Sequence, residues 1–210
     1  HQRRMNFEEI KDQIRSFVKE ELYTLEPWIL NCEWEEKLPK LNELREEVKR
    51  RGLWLPQVPK EYGGLGLSNA QHGEVSEILG GSPYGHYCFN CQAPDAGNME
   101  ILIEFGTEAQ KETYLKPLLR GEIRSCFAMT EPNNAGSNPV KMSSTALKEG
   151  NEYVINGHKW FTSSCDGASF AIAMLVTDPD GDNRHERASQ IIVPLDLSLI
   201  HISEPTRLGM

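Results

Sequence analysis

Two short segments in the second half of the chain combine aromatic, hydroxyl and turn-forming residues. The first is Phe127–Ser137, with the sequence FAMTEPNNAGS, and the second is Asn156–Thr162, with the sequence NGHKWFT. The dipeptide Asn156-Gly157 predicts a hairpin, and on the returning strand Trp160 and Thr162 would point to one face. Side chains of these types could bind a flat ligand that has apolar faces and hydrogen-bonding edges.

The first segment supplies the complementary polar groups. Alternation over 127–129 predicts the end of a strand, and Thr130 adds a hydroxyl directly after it. Pro132 cannot continue a strand ladder and turns the chain into an Asn-Asn-Ala-Gly loop. Gly136 allows the backbone to approach a ligand closely. The two segments therefore predict a ligand site built from a strand end and two turns.

The first half of the chain has helical periodicity. Asn6 and Glu9 form a capping-box pattern at the start of a helix, and Thr107 with Gln110 forms another. The helical region is predicted to end at Gly121. The apolar residues that recur at three- and four-residue steps in the first helix are Phe7, Ile10, Ile14, Phe17, Val18 and Leu22.

After residue 121 the hydrophobic period changes to two. The sequence therefore predicts an α+β protein, with an N-terminal all-helical domain over residues 1–121 and a small antiparallel β domain over residues 122–197. The predicted strands are Ser125–Met129, Ser144–Lys148, Glu152–Ile155, Lys159–Thr162, Phe170–Thr177 and Ser189–Pro194.

Composition excludes several classes of function. The chain has 210 residues, of which 39% are hydrophobic and 25% charged, a composition that can form a folded core. A formal net charge of −9 without a basic block argues against a nucleic-acid partner. No run reaches the roughly 18 apolar residues of a membrane span, so we expect none. The five scattered cysteines favour reduced thiols in an intracellular compartment.

Two motifs have some features of metal sites, and we predict that neither binds a metal. Cys88-Phe-Asn-Cys91 is a single CxxC with no second pair or histidine at zinc spacing. It is better explained as a packed segment. The turn Asp178–Asn183 has the composition of a calcium loop, but no glutamate follows at EF-hand spacing. It is better explained as a solvated hairpin turn.

The two ligand-site segments, taken with three others in the same order, resemble the acyl-CoA dehydrogenase family. The resemblance extends from about Phe7 to about Leu195. Asn90–Asp95 and Gly97–Glu100 further resemble the branch whose vertebrate members carry an extra kinase-like domain. The three other segments are Pro59–Gly66, Phe105–Leu119 and Tyr153–Gly157.

The resemblance implies an FAD cofactor. Carried over from the family pattern, Thr130 would bond the pyrimidine edge of the flavin, Trp160 would lie against the ring, and Thr162 would reach the edge near the reactive nitrogen. Ser137 would lie near the cofactor pyrophosphate and would also contact the substrate. The cofactor-binding residues implied in this way are Phe127, Met129, Thr130, Ser137, Trp160, Phe161 and Thr162.

The resemblance also implies α,β-dehydrogenation of a fatty acyl-CoA with hydride transfer to FAD. In most family members the glutamate base lies in a C-terminal helical-bundle domain that this chain lacks, so we expect no catalytic residue within the chain. Glu131 is a local alternative, but it follows Thr130 in a turn, where its family role is structural.

Partners and compartment follow from the same resemblance. They are an acyl-CoA substrate, an electron-transfer flavoprotein as acceptor, and a second copy or three further copies in a full-length homodimer or homotetramer. The implied compartment is the cytoplasm in a bacterium, and the mitochondrion or peroxisome in a eukaryote.

Two departures from the family pattern leave alternatives open. Asn138-Pro139 stands where many relatives carry an aspartate after Gly-Ser, which leaves the loop geometry near Ser137 undetermined. Residues 198–210 do not continue the family's β domain and resemble a translated sequencing adapter, so we predict a non-native tail, with a genuine edge strand as the alternative. The alternative functions are an acyl-CoA oxidase, a nitroalkane-oxidising relative, and a non-catalytic scaffold that keeps the fold without flavin.

Overall fold

A computed structural model describes residues 5–197, which divide into a unit ending at Ala96 and a unit beginning at Gly97. The predicted tail at 198–210 lies outside the described residues. None of the helices among residues 5–197 is long and apolar enough to cross a membrane.

The first unit is helical, and local signals set the ends of its helices. The Asn6 side chain accepts a hydrogen bond from the Glu9 N–H at 2.9 Å, and the Glu9 carboxylate accepts one from the Asn6 N–H at 2.9 Å, so the predicted capping box is confirmed. Phe17 and Phe89 meet edge to face in its core, with ring centroids 5.3 Å apart. The elements are α1 (Phe7–Phe17), a π-helical turn (Val18–Leu22), α2 (Tyr23–Ile29), α3 (Trp34–Arg50), a 3-10 turn (Lys60–Tyr62), α4 (Asn69–Leu79) and α5 (Gly85–Cys88).

The second unit contains both helices and a five-stranded sheet. Its helices are α6 (Asp95–Phe105, which begins just before the boundary), α7 (Glu108–Gln110), a π-helical turn (Lys111–Leu115) and α8 (Lys116–Arg120). Its strands are β1 (Ser125–Ala128), β2 (Thr145–Glu149), β3 (Glu152–Asn156), β4 (Phe170–Val176) and β5 (Ala188–Pro194).

Contacts between these helices and the sheet explain where the two units divide. The Asn98 amide donates to the Ser125 Oγ at 2.9 Å and to the Cys126 carbonyl at 3.0 Å. The Tyr114 and Phe170 rings lie 4.9 Å apart. The helices after Gly97 therefore pack with the sheet, and the compact units divide before the change from helix to strand at residue 121.

The predicted α+β class is confirmed, but the sheet is mixed rather than antiparallel. β2 pairs antiparallel with β3, and β5 pairs antiparallel with β4. By contrast, β1 pairs parallel with β4 over four residues, and β2 begins beside the last residue of β4, also in parallel. Parallel neighbours need a long crossover, which the chain between β1 and β4 supplies. Alternation along a strand does not report its direction, so the antiparallel prediction was wrong for these pairs.

The prediction of a hairpin at Asn156-Gly157, with a strand over Lys159–Thr162, is also wrong. β2 and β3 instead turn at Gly150, whose φ of +63° suits a tight turn, and residues 157–169 form no strand. Gly157 has a different role, because a Cβ there would overlap the side chain of Ser144. The close approach of the chain at Gly157 to Ser144, rather than a turn, explains why a glycine stands at this position.

Candidate functional site

Three segments meet beyond the end of β1: the strand-end segment 129–131, the serine segment 142–144, and the aromatic loop 157–162. The backbone N–H of Trp160 donates to the carbonyl of Thr130 at 3.0 Å. The Lys159 ammonium donates to the Met129 carbonyl at 2.8 Å. The structure thus brings the strand-end segment and the aromatic loop together, although the aromatic loop is not the strand that the sequence predicts.

The carboxylate of Glu131 accepts hydrogen bonds that join the three segments. It is 3% exposed and accepts hydrogen bonds from the N–H groups of Ser143 at 2.7 Å and Ser144 at 2.8 Å. The Ser143 hydroxyl and the Asn134 amide each donate to it at 2.8 Å. The Lys159 ammonium completes the set at 3.0 Å. Both carboxylate oxygens therefore have donors from at least two chain segments.

This environment keeps Glu131 ionised. Burial by itself raises the pKa of the Glu131 carboxyl, but hydrogen bonds from the Ser143–Ser144 segment and from Lys159 outweigh burial and hold the pKa well below its usual range. A general base works best with a pKa near the operating pH. Glu131 is therefore a structural anchor and a poor candidate for proton abstraction, in agreement with its interpretation from the sequence.

The aromatic loop presents two large rings at the surface. Trp160 is 42% exposed and Phe161 is 79% exposed, and their ring centroids lie 4.6 Å apart in a tilted arrangement. Phe161 has a φ of +50°, a region that costs a non-glycine residue roughly 1–3 kcal/mol. Exposed aromatic surface on a strained loop is more typical of a ligand site than of a folded core.

Three hydroxyl groups on the strand-end segment, the loop after Pro132 and the aromatic loop have no hydrogen-bond partner within the described residues. They are the hydroxyls of Thr130, Ser137 and Thr162. The loop after Pro132 folds back on Thr130, since a Cβ at Gly136 would lie 3.0 Å from the Thr130 Cγ2. These groups are free to bond the edge of a ligand.

Of the remaining predicted residues, Phe127 and Met129 lie on or directly after β1, and Ser137 lies in the loop that follows Pro132. Phe127 is half-buried within the strand, and Met129 follows its last residue. Ser137 is exposed in the loop after Pro132, and its predicted contacts with pyrophosphate and substrate stay predictions. Sequence reasoning missed the role of Lys159 and of the serine segment. The adjacency of Glu131 and Lys159 to the predicted ligand residues was the available signal.

The CxxC motif belongs to the first unit. Burial raises the pKa of both Cys88 and Cys91 to about 12, so both are protonated thiols at neutral pH. Within residues 5–197, no group of three or more His, Cys, Asp or Glu side chains is arranged to hold a metal ion.

In the second unit, the exposed aromatic rings, the unpaired hydroxyls and the close backbone approach fit a flat heterocycle such as a flavin ring. The fold and the site therefore define a class of α+β protein with a surface suited to a flat aromatic ligand. Residues 6–122 match the family model "Acyl-CoA dehydrogenase, N-terminal domain", and residues 126–210 match "Acyl-CoA dehydrogenase, middle domain". The chain belongs to the acyl-CoA dehydrogenase family, whose members are flavoproteins, as the sequence predicts.

Individual relatives agree with this assignment. Mouse acyl-CoA dehydrogenase family member 10 is 39% identical over 206 residues, which is 92% of this chain and 19% of that protein. A putative acyl-CoA dehydrogenase from Mycobacterium abscessus has a solved structure that superposes with a TM-score of 0.88 at 36% identity, covering 94% of this chain and 52% of that one. A glutaryl-CoA dehydrogenase from Mycobacterium smegmatis, solved in complex with FADH2, shares the fold at a TM-score of 0.71 and 24% identity, covering 98% of this chain and 49% of that one. This chain thus spans about half the length of these solved relatives and less of the mouse protein.

Proposed function

We propose that the full-length protein is an FAD-dependent acyl-CoA dehydrogenase that introduces an α,β double bond into a fatty acyl-CoA. The observation that carries the proposal is the joining of Trp160 to Thr130 in a chain of this family. It places an exposed indole and an unpaired hydroxyl on adjoining segments, as a flavin ring and its polar edge require.

Each residue of the site has a role in holding the cofactor. Trp160 would lie against the flavin ring, and Phe127, Met129 and Phe161 would add apolar surface. Thr130 and Thr162 would donate hydrogen bonds to the edge of the flavin ring. FAD, when bound, supplies the acceptor for the hydride that leaves the β-carbon of the substrate.

Ser137 serves the cofactor pyrophosphate and the acyl-CoA. Its loop begins at Pro132 and carries Asn138-Pro139, so its backbone is restricted on the side where many relatives have an aspartate.

We propose that a part of the full-length protein outside these 210 residues supplies the base that removes the α-proton. Glu131 is a poor candidate for that base because its carboxylate is buried and multiply hydrogen-bonded, and its lowered pKa makes it a weak base. We further propose an electron-transfer flavoprotein as the acceptor, a homodimeric or homotetrameric assembly, a role in fatty acid β-oxidation and an intracellular location.

Product analysis tests this function. The full-length protein would be incubated with fatty acyl-CoA thioesters and an electron-accepting dye, and the thioester products identified by mass. We expect a 2,3-enoyl-CoA with two hydrogens fewer than the substrate. Equal turnover with oxygen alone and release of peroxide would indicate an oxidase instead, and an unchanged thioester would contradict dehydrogenation.

A further inference from the structure

Few hydrogen bonds fix the position of the aromatic loop, although this loop carries the exposed Trp160 indole. Residues 157–162 form no strand, so no ladder of backbone hydrogen bonds fixes their position. One backbone hydrogen bond, from Trp160 to Thr130, joins this loop to the strand-end segment. The side chain of Lys159 supplies the other hydrogen bonds that join it to the strand-end and serine segments within the described part of the chain.

The Lys159 ammonium has a full set of partners. It donates to the Met129 carbonyl at 2.8 Å, to the Glu131 carboxylate at 3.0 Å and to the Met142 Sδ at 3.6 Å. An ammonium has three N–H donors, so each one is used. Its side chain is 12% exposed and that of Glu131 is 3% exposed, so solvent screens their attraction little.

We infer that Lys159 is a positioning residue for the flavin site, acting through Trp160. Its ammonium is bound by the end of β1 on one side and by the serine segment on the other, and Trp160 is the next residue along the chain. The position of the Trp160 indole relative to Thr130 therefore depends on the three hydrogen bonds that the Lys159 ammonium makes. This inference rests on the proposed flavin site, although fixation of the loop can be measured without flavin.

Two variants and their combination separate positioning from general stability. Lys159→Met removes the charge and all three donors while keeping much of the chain length, and Trp160→Ala removes the indole. Lys116→Met is the matched control, since Lys116 lies in the same unit and pairs with Glu112 at the surface. All are made in the full-length protein.

The first measurement is FAD affinity, by titrating the apoprotein and following flavin fluorescence. We expect Lys159→Met to raise the Kd about tenfold or more, and Lys116→Met to leave it within about twofold. If Lys159 acts through Trp160, the double variant binds no more weakly than Trp160→Ala alone. Additive losses, or a wild-type Kd in Lys159→Met, would overturn the inference.

The second measurement is amide hydrogen exchange of the Trp160 N–H in the apoprotein. We expect about tenfold faster exchange in Lys159→Met and no change in Lys116→Met. A wild-type protein that binds no FAD would contradict the proposed function, while the exchange rates would still decide whether Lys159 fixes the loop.

A milder variant covers the case in which Lys159→Met does not fold. Lys159→Arg keeps a positive charge beside Glu131, but a planar guanidinium cannot reproduce the three contacts of the ammonium. We expect a folded protein with faster Trp160 exchange and weaker FAD binding than wild type. Wild-type values for both would show that the three contacts of Lys159 do not position the loop.

Discussion

The backbone N–H of Trp160 hydrogen-bonds to the carbonyl oxygen of Thr130 at 3.0 Å. This bond joins the two segments that the sequence marks as a ligand site. Because it uses backbone atoms, it leaves the indole of Trp160 and the hydroxyl of Thr130 free for a ligand. The relationship explains why an irregular loop, rather than a strand, can present the aromatic side of the site.

Replacing Trp160 and Thr162 together by alanine should abolish flavin retention in the full-length protein. The loss of a large stacked surface and of an edge hydrogen bond should cost roughly 2–5 kcal/mol of binding free energy. The measurement is flavin content per protein after purification. Trp28→Ala is the matched control, because Trp28 is 44% exposed in the helical unit and should not affect flavin. Unchanged flavin in the double variant would remove Trp160 and Thr162 from the site.

The 210-residue chain on its own should show no dehydrogenase turnover. The lowered pKa of Glu131 and its many hydrogen-bond donors make it a weak base. An enzyme without its general base typically reacts about 10²–10⁴ times more slowly. The assay follows acyl-CoA oxidation with a dye acceptor. Measurable oxidation by the isolated chain would show that Glu131 or another local carboxylate acts as the base.

Glu131→Gln should destabilise the fold in a pH-dependent way. Removing one partner of a buried ion pair leaves the buried positive charge of Lys159 without a counter-charge. Such a change typically lowers the free energy of unfolding by roughly 3–5 kcal/mol at neutral pH. The folded-state pKa of Glu131 is lowered from 4.5, so its stabilising effect is complete well above pH 4.5 and is lost as the pH falls below that value towards the folded-state pKa. The free-energy difference between wild type and variant should therefore shrink on acidification.

Urea unfolding at neutral pH and at successively lower pH measures this difference. Glu112→Gln is the control, because its pair with Lys116 is exposed and contributes at most about 1 kcal/mol. A difference between wild type and Glu131→Gln that grew as the pH fell would have the wrong sign for this account.

Gly157→Ala should destabilise the second unit by roughly 1–3 kcal/mol. An added Cβ would overlap the Ser144 side chain where the aromatic loop passes the serine segment. Gly73→Ala is the comparison, since nothing lies within 4 Å of a Cβ at Gly73 in α4, and alanine there should be neutral or stabilising. Thermal unfolding of both variants checks this, and equal midpoints would mean that the loop can move away from Ser144 without cost.

Local features of the fold could be predicted from the sequence, and features set by distant contacts could not. The Asn6–Glu9 capping box depends on neighbouring residues and is confirmed. The parallel pairing of β1 with β4 joins segments that are far apart in the chain, and no periodicity reports it. The Asn-Gly signal at residue 156 failed because the β2–β3 pairing already closes at Gly150.

The same distinction applies to the site. Aromatic and hydroxyl residues could be chosen by type, because a flat polar-edged ligand requires them. The Glu131–Lys159 ion pair could not be predicted by residue type, since only the folded structure shows that the pair is buried. Sequence pattern alone assigns such residues to the surface.

The visible absorption spectrum of the purified full-length protein, before and after anaerobic addition of a fatty acyl-CoA, tests the central claim most directly. We predict a flavin spectrum in the purified protein and bleaching of its visible band when the thioester is added, since hydride transfer reduces the flavin. A protein without flavin that does not take up added FAD would contradict the assignment of Trp160, Thr130 and Thr162 to a flavin site. A flavin spectrum that no acyl-CoA bleaches would keep the site and contradict the proposed reaction.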